Sequence, residues 1–438
     1  MKKSLIALAA LAAVSAASAQ SSVTLYGLID VGYGSHTTTT RDGSGSIKSA
    51  GVMDGGNAGN RIGFRGTEDL GGGLKANFVI EQGISPTTGQ LFGVRAGATG
   101  HQVDGFSAAG SAAALSGAAG AYTTATNRQS YLGLSTSVGT FNIGYQYTVL
   151  YELATLSGYA VGSEGIPGAD KGHLHGQAGV GGTRANMIQY ISPNFGGGFT
   201  VRAQYGAGTG RETVESTVAG SNGYTTDKNR RMALMMQYAN GPLSASAAYT
   251  NLRSTQANLV AGVQAAQGQT TNVYGYINGA QPFVAGALLS GMPRTANLFQ
   301  LGASYDFGVA KLAGTYNRGK NGGAATTAVA GTAGFNSDYR AYQIGVSVPF
   351  GAFVPYFAFG RASTTSNNPA GVGPTTGAAA TNRTEDYNQY QVGVRYSLSK
   401  RTTAYAMYGQ TRNDAAALAG AGSFYRDSKT IIGMAHSF

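Results

Sequence analysis

Residues 23–33 read Val23-Thr24-Leu25-Tyr26-Gly27-Leu28-Ile29-Asp30-Val31-Gly32-Tyr33. Val23, Leu25, Gly27, Ile29, Val31 and Tyr33 fall on one face; Thr24, Tyr26, Asp30 and Gly32 fall on the other, with Leu28 the one apolar exception. A period of two with one greasy and one polar face is a β-strand buried on one side only. The pattern returns in 61–69, where Ile62 and Phe64 oppose Arg61, Arg65 and Thr67. It returns again in 74–83, where Leu74, Ala76, Phe78 and Ile80 oppose Lys75, Asn77 and Glu81. Such stretches of about 9–11 residues have the length a tilted strand needs to cross a bilayer.

Working outward, the same reading gives sixteen segments. They lie near 23–34, 61–69, 74–83, 127–135, 140–148, 186–192, 199–206 and 231–238, then 243–252, 297–306, 309–318, 339–348, 353–362, 387–396, 402–411 and 429–438. Tight turns such as Gly71-Gly72-Gly73, Asn240-Gly241-Pro242 and Phe307-Gly308 alternate with long connections rich in Gly, Ala, Ser, Thr and Asn. The long ones span 35–60, 84–126, 149–185, 207–230, 253–296, 319–338, 363–386 and 412–428. Short periplasmic turns on one rim and long external loops on the other is the layout of an outer-membrane barrel. A further hairpin from Val273–Asn278 and Phe283–Leu289 would raise the count to eighteen. Either number encloses water, because side chains fill the interior of only about eight strands. The expected fold is therefore an all-β, transmembrane, antiparallel β-barrel of sixteen strands.

Composition agrees. Charged residues make up 11% of the 438 residues, against roughly 25% in soluble proteins. There are 69 Gly, 26 Tyr and no Cys, which excludes disulfide frameworks, thiolate metal sites and Cys nucleophiles. Met1-Lys2-Lys3, the apolar run Leu5–Val14 and Ala17-Ser18-Ala19 together have the form of a secretory leader. We expect residues 1–19 to be removed as a signal peptide, with 20–438 forming a single barrel domain. Loss of Lys2 and Lys3 would lower the formal charge from +11 to +9.

Five blocks in order resemble the Gram-negative general, trimeric porins of the betaproteobacterial type. They are Ser22–Gly27, Arg61–Gly71, Asn127–Leu134, Tyr190–Phe195 and the terminal Phe438. The resemblance implies homotrimers, an outer-membrane location among lipid and lipopolysaccharide, and a third long loop folded into the pore. It also implies passive diffusion of small hydrophilic solutes and ions.

A passive pore needs a constriction whose width and field decide what crosses, and fixed charges in a narrow lumen concentrate counter-ions. Alternation sets Arg61, Arg65 and Lys75 on the lumenal face. Arg128 opens a segment apolar on both faces, so only the resemblance places it, together with Arg184, in the lumen. The resemblance also implies an opposing acidic wall from 149–185, where Glu152, Glu164 and Asp170 are the acids and Glu164 leads. The Asp-Pro-Phe or Pro-Glu-Phe style block usual in such porins is missing there, Gly165-Ile166-Pro167-Gly168 standing nearby. Tyr145 stands where many such porins carry arginine. Tyr145, Tyr147, Tyr356, Phe357, Phe359, Tyr405 and Tyr408 are expected in interfacial girdles.

Net charge and the arginines predict anion preference. The alternative is a substrate-specific channel for small organic anions or phosphate, which would saturate. An enzyme would need a positioned His, and His36, His101, His173 and His175 fall in loops while His436 sits in the terminal signal. No cofactor is called for, and the dispersed Lys and Arg do not form a nucleic-acid surface.

Overall fold

A computed structural model describes residues 22–40, 46–91, 128–155, 163, 184–207, 230–255, 293–323, 336–368, 381–413 and 424–438. The expected leader lies outside them.

The strands in chain order are β1 (Ser22–Thr40), β2 (Ser46–Asp54), β3 (Arg61–Gly71), β4 (Leu74–Ser85), β5 (Gln90–Leu91), β6 (Gln129–Thr136), β7 (Gly139–Tyr147), β8 (Arg184–Ile191) and β9 (Phe199–Ala207). They continue with β10 (Arg230–Asn240), β11 (Leu243–Thr255), β12 (Pro293–Asp306), β13 (Lys311–Gly323), β14 (Asn336–Ser347), β15 (Phe353–Asn368), β16 (Thr381–Ser397), β17 (Thr402–Asn413) and β18 (Phe424–Ser437). Seventeen of these form the closed wall of sixteen strands. β5 is a two-residue addition to the upper end of β4. β2 and β3 follow one another along the same edge of β1, Val31 pairing with Asp54 and Leu28 with Arg61, so together they make the second strand. β18 covers the other edge of β1 from Leu28 to Thr40 and closes the ring. β11 pairs directly with β12 from Leu243 and Tyr305 up to Thr255 and Pro293, so no further strand enters the wall there. The hairpin considered at 273–289 lies outside the described residues.

Closure explains the chain's ends. Gly27 and Phe438 exchange backbone hydrogen bonds at 3.0 and 3.2 Å, completing the ladder a membrane-spanning sheet requires. Gly71, Gly72 and Gly73 carry φ of +81, +60 and +82°, a left-handed run that only glycine adopts cheaply. That run permits the tight return from β3 to β4.

The faces sort as alternation requires. Leu132 and Ile143 are 65% and 62% exposed on the outside. Gln189, Gln300, Asn317, Gln343 and Gln391 are buried within. Two expectations need correction. The 35–60 connection is largely strand, since the Thr-rich end of β1 and β2 extend the hairpin, leaving 41–45 outside the described residues. Tyr356 and Tyr405 belong to no girdle: both are 3% exposed and face inward, because each sits one pleat out of phase with the outward-facing Phe357 and Ala404. Tyr147 also leaves the girdle for the lumen, as its contacts below show.

Between β2 and β3, residues 55–60 bulge into the lumen. Asp30 holds this bulge by accepting the N–H groups of Asn57 and Ala58, both at 2.7 Å, and a hydrogen bond from the Tyr405 hydroxyl. Arg395 donates to Asn57 Oδ1 at 2.8 Å.

Candidate functional site

After β7 the chain turns inward as a short helix, Val149–Leu153. It lies on a patch of the inner wall that is unusually apolar. Val149 and Leu153 pack with Ala233, Met235 and Ala248, while Leu150 packs with Leu252, Ala296 and Leu298. Burying three such side chains contributes about 5–8 kcal/mol; ordering five backbone residues costs about as much, ~5–10 kcal/mol. Polar tethers therefore decide the docking. Gln204 accepts from Val149 N at 2.9 Å and donates to Tyr147 O at 3.0 Å. Glu152 pairs with Arg202 at 3.1 Å and accepts from Gln189. Burial pushes the Glu152 carboxyl up, against the pull of Arg202.

The far end of the segment is pinned elsewhere. Ser163 N donates to Gln391 Oε1 at 2.9 Å, Gln391 returns a bond to Ser163 O at 3.0 Å, and the Ser163 hydroxyl donates to the bulge at Gly56 O and Asn57 O. The connection thus leaves the β10–β12 wall and arrives at β16 and the 55–60 bulge.

Beside this helix the structure gathers most of the expected cations. Tyr26, Gly63, Glu81 and Gln129 are successive register partners across β1, β3, β4 and β6. That row points inward, since Phe64 and Ile80 beside it are exposed on the outside. Glu81 is its centre. Arg128 donates to Glu81 Oε1 at 2.6 Å, Tyr26 donates to Oε2 at 3.0 Å, and Arg61 stands 3.9 Å from Oε2. Arg128 also donates to the Tyr147 hydroxyl at 2.9 Å, and Arg184 donates to that oxygen at 3.0 Å. Tyr147 stacks on Tyr151 of the helix at 4.2 Å, with the Arg184 guanidinium 4.5 Å from the Tyr147 centroid. Arg65 lies over the Tyr26 ring at 5.2 Å.

Alternation placed Arg61 and Arg65 rightly on the inward face. Lys75 shares their face but not their place: it pairs with Asp69 and Ser135 near the short-turn rim, six residues or about 20 Å from Glu81. Glu152 does not oppose the arginine cluster; it tethers the helix to Arg202. Glu164 and Asp170 lie outside the described residues. Among the described residues the acid that meets the arginines, Glu81, belongs to the wall. Its signal was present in its polar phase against Ile80, and pairing of β4 with β6 supplies the rest. Arg202 was hidden because β9 reads as a plain alternating strand.

Replacing Leu150, 1% exposed, by Asp should unseat the helix while leaving every barrel ladder intact. Single-channel conductance is expected to rise with larger current fluctuations; conductance equal to the wild type would refute the docking.

The sequence profile described as Gram-negative porin matches residues 7–416. The chain is 30% identical to outer membrane porin protein 32 of Delftia acidovorans, over 80% of this chain and 77% of that protein. It is 27% identical to an outer membrane porin protein of Bordetella pertussis over the full length of both. Among solved structures it is similar to an anion-selective porin from Comamonas acidovorans, with a TM-score of 0.58 and 23% identity, covering 96% of this chain and all of that one. It is also similar to the trimer form of OmpT from Vibrio cholerae, with a TM-score of 0.56 and 14% identity, covering 95% and 99%.

Proposed function

Because the chain belongs to the Gram-negative porin family, an outer-membrane channel rather than an enzyme, we propose that its constriction favours anions. The observation that carries this reading is the imbalance around Glu81 among the described residues: Arg61 and Arg128 face this one carboxylate, while Arg65 and Arg184 lie on Tyr26 and Tyr147 beside it. Arginine keeps its charge when crowded by other cations, so the surplus persists at any physiological pH. In a lumen with low-dielectric walls, that surplus raises the local anion concentration. The Arg202–Glu152 pair is internally balanced and adds little. The anion selectivity of the porin from Comamonas acidovorans points the same way.

A salt gradient across a bilayer holding the protein is expected to give an anion-selective reversal potential. Arg61→Ser should move that potential toward zero, because the Arg61 side chain is 28% exposed and meets passing ions. A cation-selective wild type would overturn the reading while leaving the barrel untouched. Flux should grow linearly with solute across a panel of small organic anions and phosphate; saturation would favour the specific-channel alternative.

We also infer a homotrimer. β6, β7 and β8 are short, and with β3 they carry bare apolar side chains outward, among them Phe64, Leu132 and Ile143, a face suited to burial against copies. The trimer form of the Vibrio cholerae protein supports this assembly.

A further inference from the structure

The guanidinium of Arg65 is held by a device that the barrel uses again. Tyr26 and Gly63 are register partners on β1 and β3. The Tyr26 ring lies across Gly63, where a Cβ would come within 2.6 Å of it. Arg65, two residues on from the glycine, sits over that ring at 5.2 Å. Four strands round the wall the arrangement returns on β15 and β16. Tyr356 and Gly393 are register partners there, and a Cβ on Gly393 would again come within 2.6 Å of the ring. Arg395, two residues on, sits over that ring at 4.3 Å. In both places the glycine leaves the ring room to lie against the wall, and the ring face attracts a cation. Tyr405 and Gly433 repeat the first half of the device on β17 and β18. Ala435 stands where the arginine would be, and the Tyr405 hydroxyl goes to Asp30 instead.

The 55–60 bulge ties Arg395 to the cluster around Glu81. Val392 and Tyr396 are exposed on the outside, so alternation turns Arg395 inward. There its Nε donates to Asn57 Oδ1 at 2.8 Å. Arg61, on the same strand as Arg65, donates to Gly59 O at 3.4 Å. Asn57 and Gly59 are two residues apart, at most about 7 Å. A cation of β16 and a cation of β3 therefore meet the same six-residue bulge, which Asp30 fixes from β1.

We propose that Arg395 is a further selectivity residue of the channel, extending the cationic path from β3 round to β16. The Tyr356 ring and the Asn57 amide set where its charge stands. This rests on the anion-favouring reading above. Arg395 makes further contacts, and its removal leaves the lumen one unit less positive whatever they are.

Reversal potentials under a salt gradient test the assignment, on variants whose heat-modifiable gel mobility shows a folded barrel. Arg395→Ser should lower the anion-to-cation permeability ratio at least ~2-fold, as Arg65→Ser should, because each removes a fixed charge from the lumen. Arg395→Lys keeps the charge and should stay close to wild type. A wild-type ratio in Arg395→Ser, or a lysine variant as impaired as the serine one, overturns the proposal. Asn57→Asp sets a carboxylate against the guanidinium without removing it, and so carries the test if Arg395→Ser does not fold. It should also lower the ratio; an unchanged ratio there counts against Arg395 equally. A wild type without anion preference would refute the underlying reading, whereas a shift toward cations in Arg395→Ser would still identify Arg395 as a selectivity residue.

Discussion

Arg128→Ala is expected to lower the stability of the barrel by about 3–5 kcal/mol and to move the reversal potential toward zero. Arg128 and Glu81 are 3% and 5% exposed, so removing the guanidinium strands a desolvated carboxylate. Arg61 at 3.9 Å and the Tyr26 hydroxyl at 3.0 Å remain, but neither replaces a charged contact of 2.6 Å. Glu81→Gln should have the opposite electrical effect: the surplus of arginines grows and anion preference rises. The double substitution, with neither charge left buried alone, should recover most of the lost stability, because removing both partners of a buried pair costs far less than breaking it. A cycle of the four proteins unfolded in urea measures the coupling. If Arg128→Ala matches wild type in both midpoint and potential, Glu81 is not the hub assigned to it.

Which parts of this were readable beforehand follows from what local sequence encodes. A period of two is a property of neighbouring residues, so Arg61, Arg65 and the outward Phe64 could be assigned to faces without any fold. Height along a strand is not local. Lys75 and Glu81 share a face of β4, and only the register with β3 and β6 separates the short-turn rim from the Glu81 cluster. Partnership across the lumen is less local still. Glu152 meets Arg202, 50 residues away, because the inner faces of β10 to β12 carry Ala233, Met235, Ala248 and Leu298. Those residues blur the alternation that identifies a strand; the same departure marks where the helix docks. Asp30 illustrates the remaining gap. Its polar phase was plain, yet its role in holding the 55–60 bulge depends on Tyr405, 375 residues later.

Gly27→Val should be the most damaging single change to the wall itself. Alternation sets Gly27 among the lipid-facing Val23, Leu25 and Ile29, where an apolar side chain would ordinarily be welcome. Closure forbids it. A Cβ on Gly27 would run into the Phe438 ring and lie 2.8 Å from the Arg61 carbonyl oxygen. The ring can swing aside, but the carbonyl belongs to the ladder between β1 and β3 and cannot move without breaking it. Overpacking of this kind costs about 1–3 kcal/mol or more, and here it falls where the first strand meets both its neighbours. Gly27→Ala should already lower the yield of heat-modifiable, folded barrel, and Gly27→Val should nearly abolish it. Gly27→Ala combined with Phe438→Ala separates the two contacts. With the ring removed and the carbonyl still in place, rescue should be partial. Full rescue would mean that the terminal ring alone requires the glycine, and wild-type yield from Gly27→Val would show that the seam is not closed as described.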